Sequence, residues 1–381
     1  MTDFYTAPIL EPGCRPGDLV RMRPAFVPPL PNAAAAWQIL YVSTTSRGEL
    51  IPASGIVILP DTTSDARPAV EALLVYYPPF RGLGGPCAPS RSLVVGANPD
   101  SPDIVVPAEA LARGWAVAVP DGEGLGVTGL GPHTFLAARA GGQHVLDLAR
   151  AAQLVPDLDT DDREPPPMPV VAWGYADGGR AVAAAGELAP RYAPELALRG
   201  LCAGAVVSDL AAVAPAVSTG AYAVLGVAGL IGLAQAYPDL RLRDVLNEEG
   251  QRLAEQADTL TGEQLMDWYR EPLAHWCHRP DPWNEPRWRD LLAMETLAHL
   301  APTAPLHLYH GSNDQVVPVE AGRRTMIAYR QRGAAVTWRE YPTGHTGAAI
   351  DAIGEGFARL GEDLADPANL GPAGPGRAAP A

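Results

Sequence analysis

The sequence contains no lysine: all 28 of its Lys+Arg positions are arginine. With no side-chain amine to form a Schiff base or to cradle a phosphate, Schiff-base aldolases, pyridoxal-phosphate enzymes, P-loop nucleotidases and protein kinases are excluded. Positive charge is scarce overall. The formal net charge of -15 leaves no basic face to neutralise phosphates, so no nucleic-acid partner is expected. Cysteine is also sparse. Cys14, Cys87, Cys202 and Cys277 are far apart and form no C-x-x-C pair, which argues against a structural zinc site. The first twenty residues carry Asp3, Glu11, Arg15 and Asp18 and no apolar h-region, so no secretory signal is expected within this chain. The compartment stays unknown, since a cytoplasmic protein and a trimmed one both fit. A long uncharged run does exist, Leu210 to Pro238, but Pro215, several glycines and hydroxyl residues interrupt it. It reads as a buried helix pair, not a transmembrane segment.

What is present fits a large globular unit. Of 381 residues 47% are hydrophobic and 19% charged, too apolar a balance for a disordered chain. Gly 39 and Pro 40 fall just below low-complexity usage and imply many tight loops. Trp37–Thr45 and Ile51–Leu59 read as an N-terminal hairpin. Ala72–Tyr77, Trp115–Pro120, Val170–Trp173, Leu201–Val207, Pro305–His310 and Ala335–Tyr341 read as parallel strands covered on both faces. Helical stretches separate them at Pro107–Arg113, Phe135–Gln153, Gly179–Glu187, Glu320–Arg332 and Gly347–Leu364. The succession predicts an α/β fold with a mainly parallel sheet flanked by helices. From 211 to 299 the rhythm becomes helical only, which predicts a cap inserted between core segments 1–210 and 300–364. Residues 365–381, rich in Ala, Gly and Pro, are expected to be a disordered tail.

The segment V-V-A-W-G-Y-A-D-G-G-R, Val170 to Arg180, carries the chemistry. Gly174 and Gly178 flank a central residue at the spacing of a nucleophile elbow, G-x-S-x-G, with Tyr175 inside it and an Ala-rich helix after it. The central residue here is Ala176. A phosphate loop would need a lysine and other glycine spacing. In H-G-S-N-D-Q-V-V-P, Asp314 follows a strand, and in Y-P-T-G-H-T-G, His345 stands in a Gly-flanked loop before the last helical stretch. Nucleophile position, acid and histidine thus come in the chain order of α/β-hydrolases. Asp177 as nucleophile is a weaker reading, because the turn would then need a small residue where Tyr175 stands. His275 and His278 around Cys277 read as cap surface, adjacent Cys and His being poorly placed to share one metal ion.

On these motifs, with F-Y-T-A-P near the start, V-Y-Y-P-P-F-R-G-L-G-G-P-C-A-P-S at Val75–Ser90 and V-P-D-G-E-G at Val119–Gly124, the chain resembles the secretory lipases of the lipase A type within the α/β-hydrolases. The resemblance implies an α/β-hydrolase fold with a helical cap insertion that forms an acyl-binding tunnel. It implies a triad on Ala176, Asp314 and His345, and an oxyanion hole from the Asp177 N–H and the loop of Arg81. It also implies a disulfide that would join Cys87 to the cap at Cys277. The substrate would be a lipid-like or apolar ester, with no cofactor; oligomeric state is open.

Two departures from the family pattern bear on function. Alanine replaces the serine, which closes the acyl-enzyme route, and Arg81 stands where the family usually has an acidic oxyanion residue. Ala176 is either an engineered replacement in a Ser-His-Asp ester hydrolase or acyltransferase, or a native change. In the second case the fold serves as a cyclase, lyase or ligand-binding pseudo-hydrolase working with the Asp314–His345 pair.

Overall fold

The structure, a computed structural model, describes residues 3–30, 32–61, 70–96, 101–156, 158 and 168–366; the expected tail at 365–381 lies almost wholly outside them. Nine strands form one sheet: β1 (Leu19–Ala25), β2 (Ala33–Thr44), β3 (Leu50–Pro60), β4 (Leu73–Tyr77), β5 (Ala116–Pro120), β6 (Pro169–Tyr175), β7 (Ala197–Gly204), β8 (Leu306–Gly311) and β9 (Val336–Tyr341). Their spatial order is β1-β2-β3-β5-β4-β6-β7-β8-β9. The first three strands pair antiparallel, β3 joins β5 antiparallel, and every later pairing is parallel. Strands β4 to β8 are apolar on both faces because helices cover both; Leu73, Val75 and Ala172 point into one buried layer, Leu74, Val171 and Trp173 into the other. This mainly parallel sheet between helical layers is the expected α/β-hydrolase architecture.

One layer is made by α3 (Ala138–Ala152), α4 (Asp177–Tyr192) and α11 (Val319–Gln331). The other is made by α1 (Pro89–Val95), α2 (Pro102–Ala112), α12 (His345–Asp351) and α13 (Ile353–Ala365). Between β7 and β8 the chain is helical only: α5 (Leu210–Val213), α6 (Val224–Ala236), α7 (Glu248–Gln256), α8 (Gly262–Trp268), α9 (Leu273–Trp276) and α10 (Pro286–Met294). These helices share a second core of Leu, Val and Trp side chains, and that core also takes in Val316, Val317 and Phe80 from core loops. The cap is thus packed onto the carboxyl ends of the strands, where open α/β sheets place their sites. Among the described residues no single helix is long and apolar enough to cross a membrane, and after α6 the chain bends by 119°.

Several elements differ from the sequence reading. Strand β1 was not anticipated: its L-V-R-M-R-P-A is mostly exposed at the sheet edge, so hydrophobic alternation is weak. The last strand, β9, is half exposed as the opposite edge, not covered on both faces. The single helix expected at Gly347–Leu364 is two helices, α12 and α13, meeting at Ala352.

Candidate active site

The turn after β6 is forced by its glycines. A Cβ on Gly174 would lie 2.2 Å from the Gly178 carbonyl oxygen, and one on Gly178 would lie 2.1 Å from that of Tyr77. No side chain fits at either place, which is how β4, β6 and the start of α4 come so close. Between them Ala176 holds φ 54° and ψ -112°, a strained conformation for a residue with a Cβ. Its N–H donates to Gly204 O at 2.9 Å and its carbonyl accepts the Arg180 N–H at 2.9 Å. The turn therefore has the tight, strained backbone that a nucleophile elbow requires, with the methyl group of Ala176 at its centre.

Asp314 follows β8 and is fully buried at its side chain. One carboxylate oxygen accepts the N–H groups of Val316 (2.8 Å) and Val317 (2.9 Å). The other lies 2.7 Å from His345 Nδ1 and 3.5 Å from His310 Nε2. Burial alone would raise its pKa, but the hydrogen bonds from His310, His345 and Val317 outweigh it and hold the carboxyl well below the usual range. An ionised Asp314 can only accept, so His345 Nδ1 carries the proton and Nε2 is left as the basic nitrogen. His345 opens α12, packs its ring 5.0 Å from that of Tyr175, and accepts the Tyr175 hydroxyl at its carbonyl. The elbow strand thus orients the histidine directly.

Asp177 points elsewhere. Its carboxyl lines a small void with Tyr77, Glu123, Thr134 and Arg180, in the layer opposite to the one where Tyr175 and Ala176 pack. Burial pushes it up to about 6, with Arg180 pulling against that shift. This placement removes the reading of Asp177 as a nucleophile served by His345. Only its backbone N–H, next to Ala176, faces the role implied by the resemblance.

The guanidinium of Arg81, the residue standing at the family's oxyanion position, is engaged elsewhere. That group pairs with Asp103 at the start of α2, whose other oxygen accepts the Tyr76 hydroxyl at 2.9 Å, and the Arg81 carbonyl accepts the Gly262 N–H of the cap at 2.7 Å. The Cys87–Cys277 disulfide is also not formed: all four cysteines are free thiols. Cys87 donates instead to Leu260 O at 3.5 Å, whereas Cys277 is bridged through its backbone to Leu246, so each meets a different part of the cap. Burial pushes the Cys277 thiol up to about 12.

Sequence reasoning missed two features. His310 is a second histidine on Asp314; its Nε2 donates to Val317 O at 2.8 Å while Nδ1 is buried without a partner. The other is Arg180, fully buried one turn into α4. It donates to Leu136 O (2.9 Å), Val207 O (2.6 Å) and Glu295 Oε2 (2.8 Å). Glu295, at the end of α10, also accepts the Ala138 N–H (2.8 Å) and the Tyr237 hydroxyl. The cap is therefore fastened to the elbow helix by an ion pair away from solvent. A surface depression of about 630 Å³ lies on the cap beside Gln235 and Arg241, and none of Ala176, Asp314, His345, His310 and Arg180 lines it.

Known proteins resemble the chain over most of its length. The sequence profile of the family described as secretory lipase matches residues 100–361. A protein of Mycobacterium tuberculosis named "Probable inactive lipase MT1628" is 28% identical over 88% of this chain and 75% of its own length. A "Trichothecene C-3 esterase" of Fusarium sporotrichioides is 28% identical over 90% of this chain and 78% of its own. The closed-state crystal structure of Candida antarctica lipase A superimposes with a TM-score of 0.84 at 23% identity, covering 95% of this chain and 85% of that one. With the family profile matching well over half of its length, the chain belongs to the secretory lipase family.

Proposed function

We propose that this protein is a carboxylic-ester hydrolase scaffold for lipid-like or apolar esters in which the Ser-His-Asp mechanism is disabled at one atom, the missing hydroxyl of residue 176. The observation that carries this reading is the Asp314–His345 contact of 2.7 Å beside an elbow that keeps the strained backbone at Ala176. An elbow of this kind costs stability, and a buried Asp–His pair has little structural purpose at a partly exposed histidine.

With serine at 176, His345 Nε2 would take the hydroxyl proton as the oxygen attacks the ester carbonyl, then pass it to the leaving alcohol. Asp314 would hold the imidazole and stabilise its charged form. The Asp177 N–H would be one donor to the developing oxyanion. Pro78 and Pro79 carry no N–H, so a second donor from the loop after β4 would be the amide of Phe80 or a later residue, with the Arg81 side chain engaged on Asp103. With alanine there is no oxygen to acylate, and turnover falls by a factor on the order of 10⁶. Water attack or acyl transfer to an alcohol would both follow the same acyl-enzyme.

A second reading is favoured by one relative, the mycobacterial protein named as a probable inactive lipase: the family includes proteins so described, and this chain would then be a natural non-hydrolytic member, a cyclase, lyase or ligand-binding pseudo-hydrolase. A fluorophosphonate serine-hydrolase probe separates the two. The Ala176→Ser variant is expected to be labelled at residue 176 in the hydrolase reading, and this chain is not. A folded serine variant that resists labelling would favour the second reading.

A further inference from the structure

Where the last cap helix returns to the core, a groove of about 320 Å³ lies between the end of α10 and the helices α3 and α4, within the roughly 300–1,000 Å³ of small-molecule sites. It is apart from the elbow. Ala184 and Leu188 of α4 line it about two and three turns beyond Asp177, and neither Asp314 nor His345 takes part. Its sides are apolar, made by Leu188, Met294, Leu297 and Leu300. Met294 is 60% and Leu300 40% exposed, so two large apolar side chains left to solvent stand on one groove instead of scattered singly.

The unpaired side-chain groups in the groove can all donate. Ser46, in the turn between β2 and β3, is 5% exposed, and its hydroxyl is buried without a hydrogen bond, a costly state for a polar group. The Tyr237 hydroxyl is near it but gives its proton to Glu295. Arg139, in the first turn of α3, lines the groove with an exposed guanidinium that has no ion pair or hydrogen bond among the described residues. The Gln143 amide bridges Thr45 O (3.1 Å) and Arg139 O (3.2 Å), so the turn of Ser46 and the start of α3 meet, and both donors stand at one end. The imidazole of His299 also lines the groove without a partner. The carboxylates in the wall are already engaged. Glu187 accepts the Ala298 N–H (2.7 Å), the Leu300 N–H (3.2 Å) and the Tyr329 hydroxyl (2.6 Å), and Glu295 is paired with Arg180. Glu187 alone opposes an anion, and its three donors draw its charge away from the groove. Apolar sides with donors at one end suit an amphipath whose head accepts hydrogen bonds and carries negative charge. We propose that this groove binds an aliphatic carboxylate of medium chain length, with its head on Ser46 and Arg139 and its chain on Leu188, Met294 and Leu300. The bound molecule spans α4 and the end of α10, adding to the fastening of the cap by Arg180 and Glu295. The site does not depend on what stands at residue 176.

The test is titration of decanoate, below its micellar range, into this chain by isothermal calorimetry. One site per chain is expected, with decan-1-ol and decyltrimethylammonium bound at least tenfold more weakly. Arg139→Gln, a change at an exposed position, is expected to weaken decanoate at least tenfold. Ser46→Ala removes a hydroxyl that has no partner in the free protein, so it should lower the affinity without lowering the melting temperature; a serine with a purely structural role would not behave so. The methyl carbon of Met294, read by methionine-methyl NMR and assigned with Met294→Leu, is expected to shift as decanoate binds. No binding of decanoate, equal binding of decanol or of the cationic amphipath, an affinity unchanged in Arg139→Gln, or a Met294 methyl that does not move would each overturn the proposal. Tight binding with the last two results would place decanoate elsewhere, at the loops of Ala176 and His345.

Discussion

Replacing Arg180 by methionine tests how firmly the cap is tied to the elbow. Its side chain is 1% exposed and that of Glu295 3%, so neither charge can turn to solvent when its partner is lost. Methionine keeps the apolar stem but removes every donor, leaving the carbonyls of Leu136 and Val207 unpaired and the Glu295 carboxylate with only Ala138 N–H and the Tyr237 hydroxyl. Breaking one side of a buried pair costs about 3–5 kcal/mol, a large share of the roughly 5–15 kcal/mol by which a domain is stable. Removing both charges is far milder, because the expense of a lone buried charge disappears. Urea unfolding followed by far-UV circular dichroism should therefore show Arg180→Met losing about 3–5 kcal/mol, and the double variant Arg180→Met/Glu295→Leu recovering about half of that loss. A loss below about 1 kcal/mol, or a double variant equal to the sum of the singles, would refute the clamp.

Further outcomes are expected. Burial pushes the Glu123 carboxyl up to about 7, so its contribution to stability is full below its unfolded pKa of about 4.3 and is lost as pH rises through the folded value. Glu123→Gln should then change stability little near pH 4 and raise it by up to about 3 kcal/mol near pH 8, read as melting temperature against pH; equal effects at both ends would contradict the burial argument. Gly178→Ala places a Cβ against the Tyr77 carbonyl, backbone against backbone, and should cost about 3 kcal/mol or more; a thermal melt matching the parent would contradict the close packing of β4 on the elbow. In the Ala176→Ser background, Asp314→Asn should reduce kcat by about 10⁴ by freeing the wrong imidazole tautomer, and a loss below tenfold would remove Asp314 from its role.

The sheet, and the three loops after β6, β8 and β9 that carry the candidate residues, were legible because each is local. Val170–Trp173 is a run of buried residues followed by glycines that nothing else can replace, Asp314 follows the apolar strand β8 by three residues, and His345 stands at a Gly-flanked position four residues after β9. The edge strand β1 was not legible, since Arg21, Arg23 and Pro24 face outward and blur its alternation. Helix α1 was hidden by its length of seven residues and the proline that starts it. The Arg180–Glu295 clamp spans 115 positions, and no periodicity links an arginine in an Ala-rich helix to a glutamate at the end of a cap helix. The cysteine pairing failed for the same reason: which part of the cap meets Cys87 depends on how six short helices pack. Arg81 was located correctly in its loop, but Asp103, in a different helix, decides where its guanidinium goes.

If this protein is a hydrolase site that lacks one oxygen, turnover of activated esters, from short to long acyl chains, by this chain and its Ala176→Ser variant under identical conditions is the most direct test, with folding of both checked by circular dichroism. Background rates are expected from this chain and ester hydrolysis from the variant, by a margin on the order of 10⁶. Two folded proteins equally inert on every ester, or equally active, would contradict this reading.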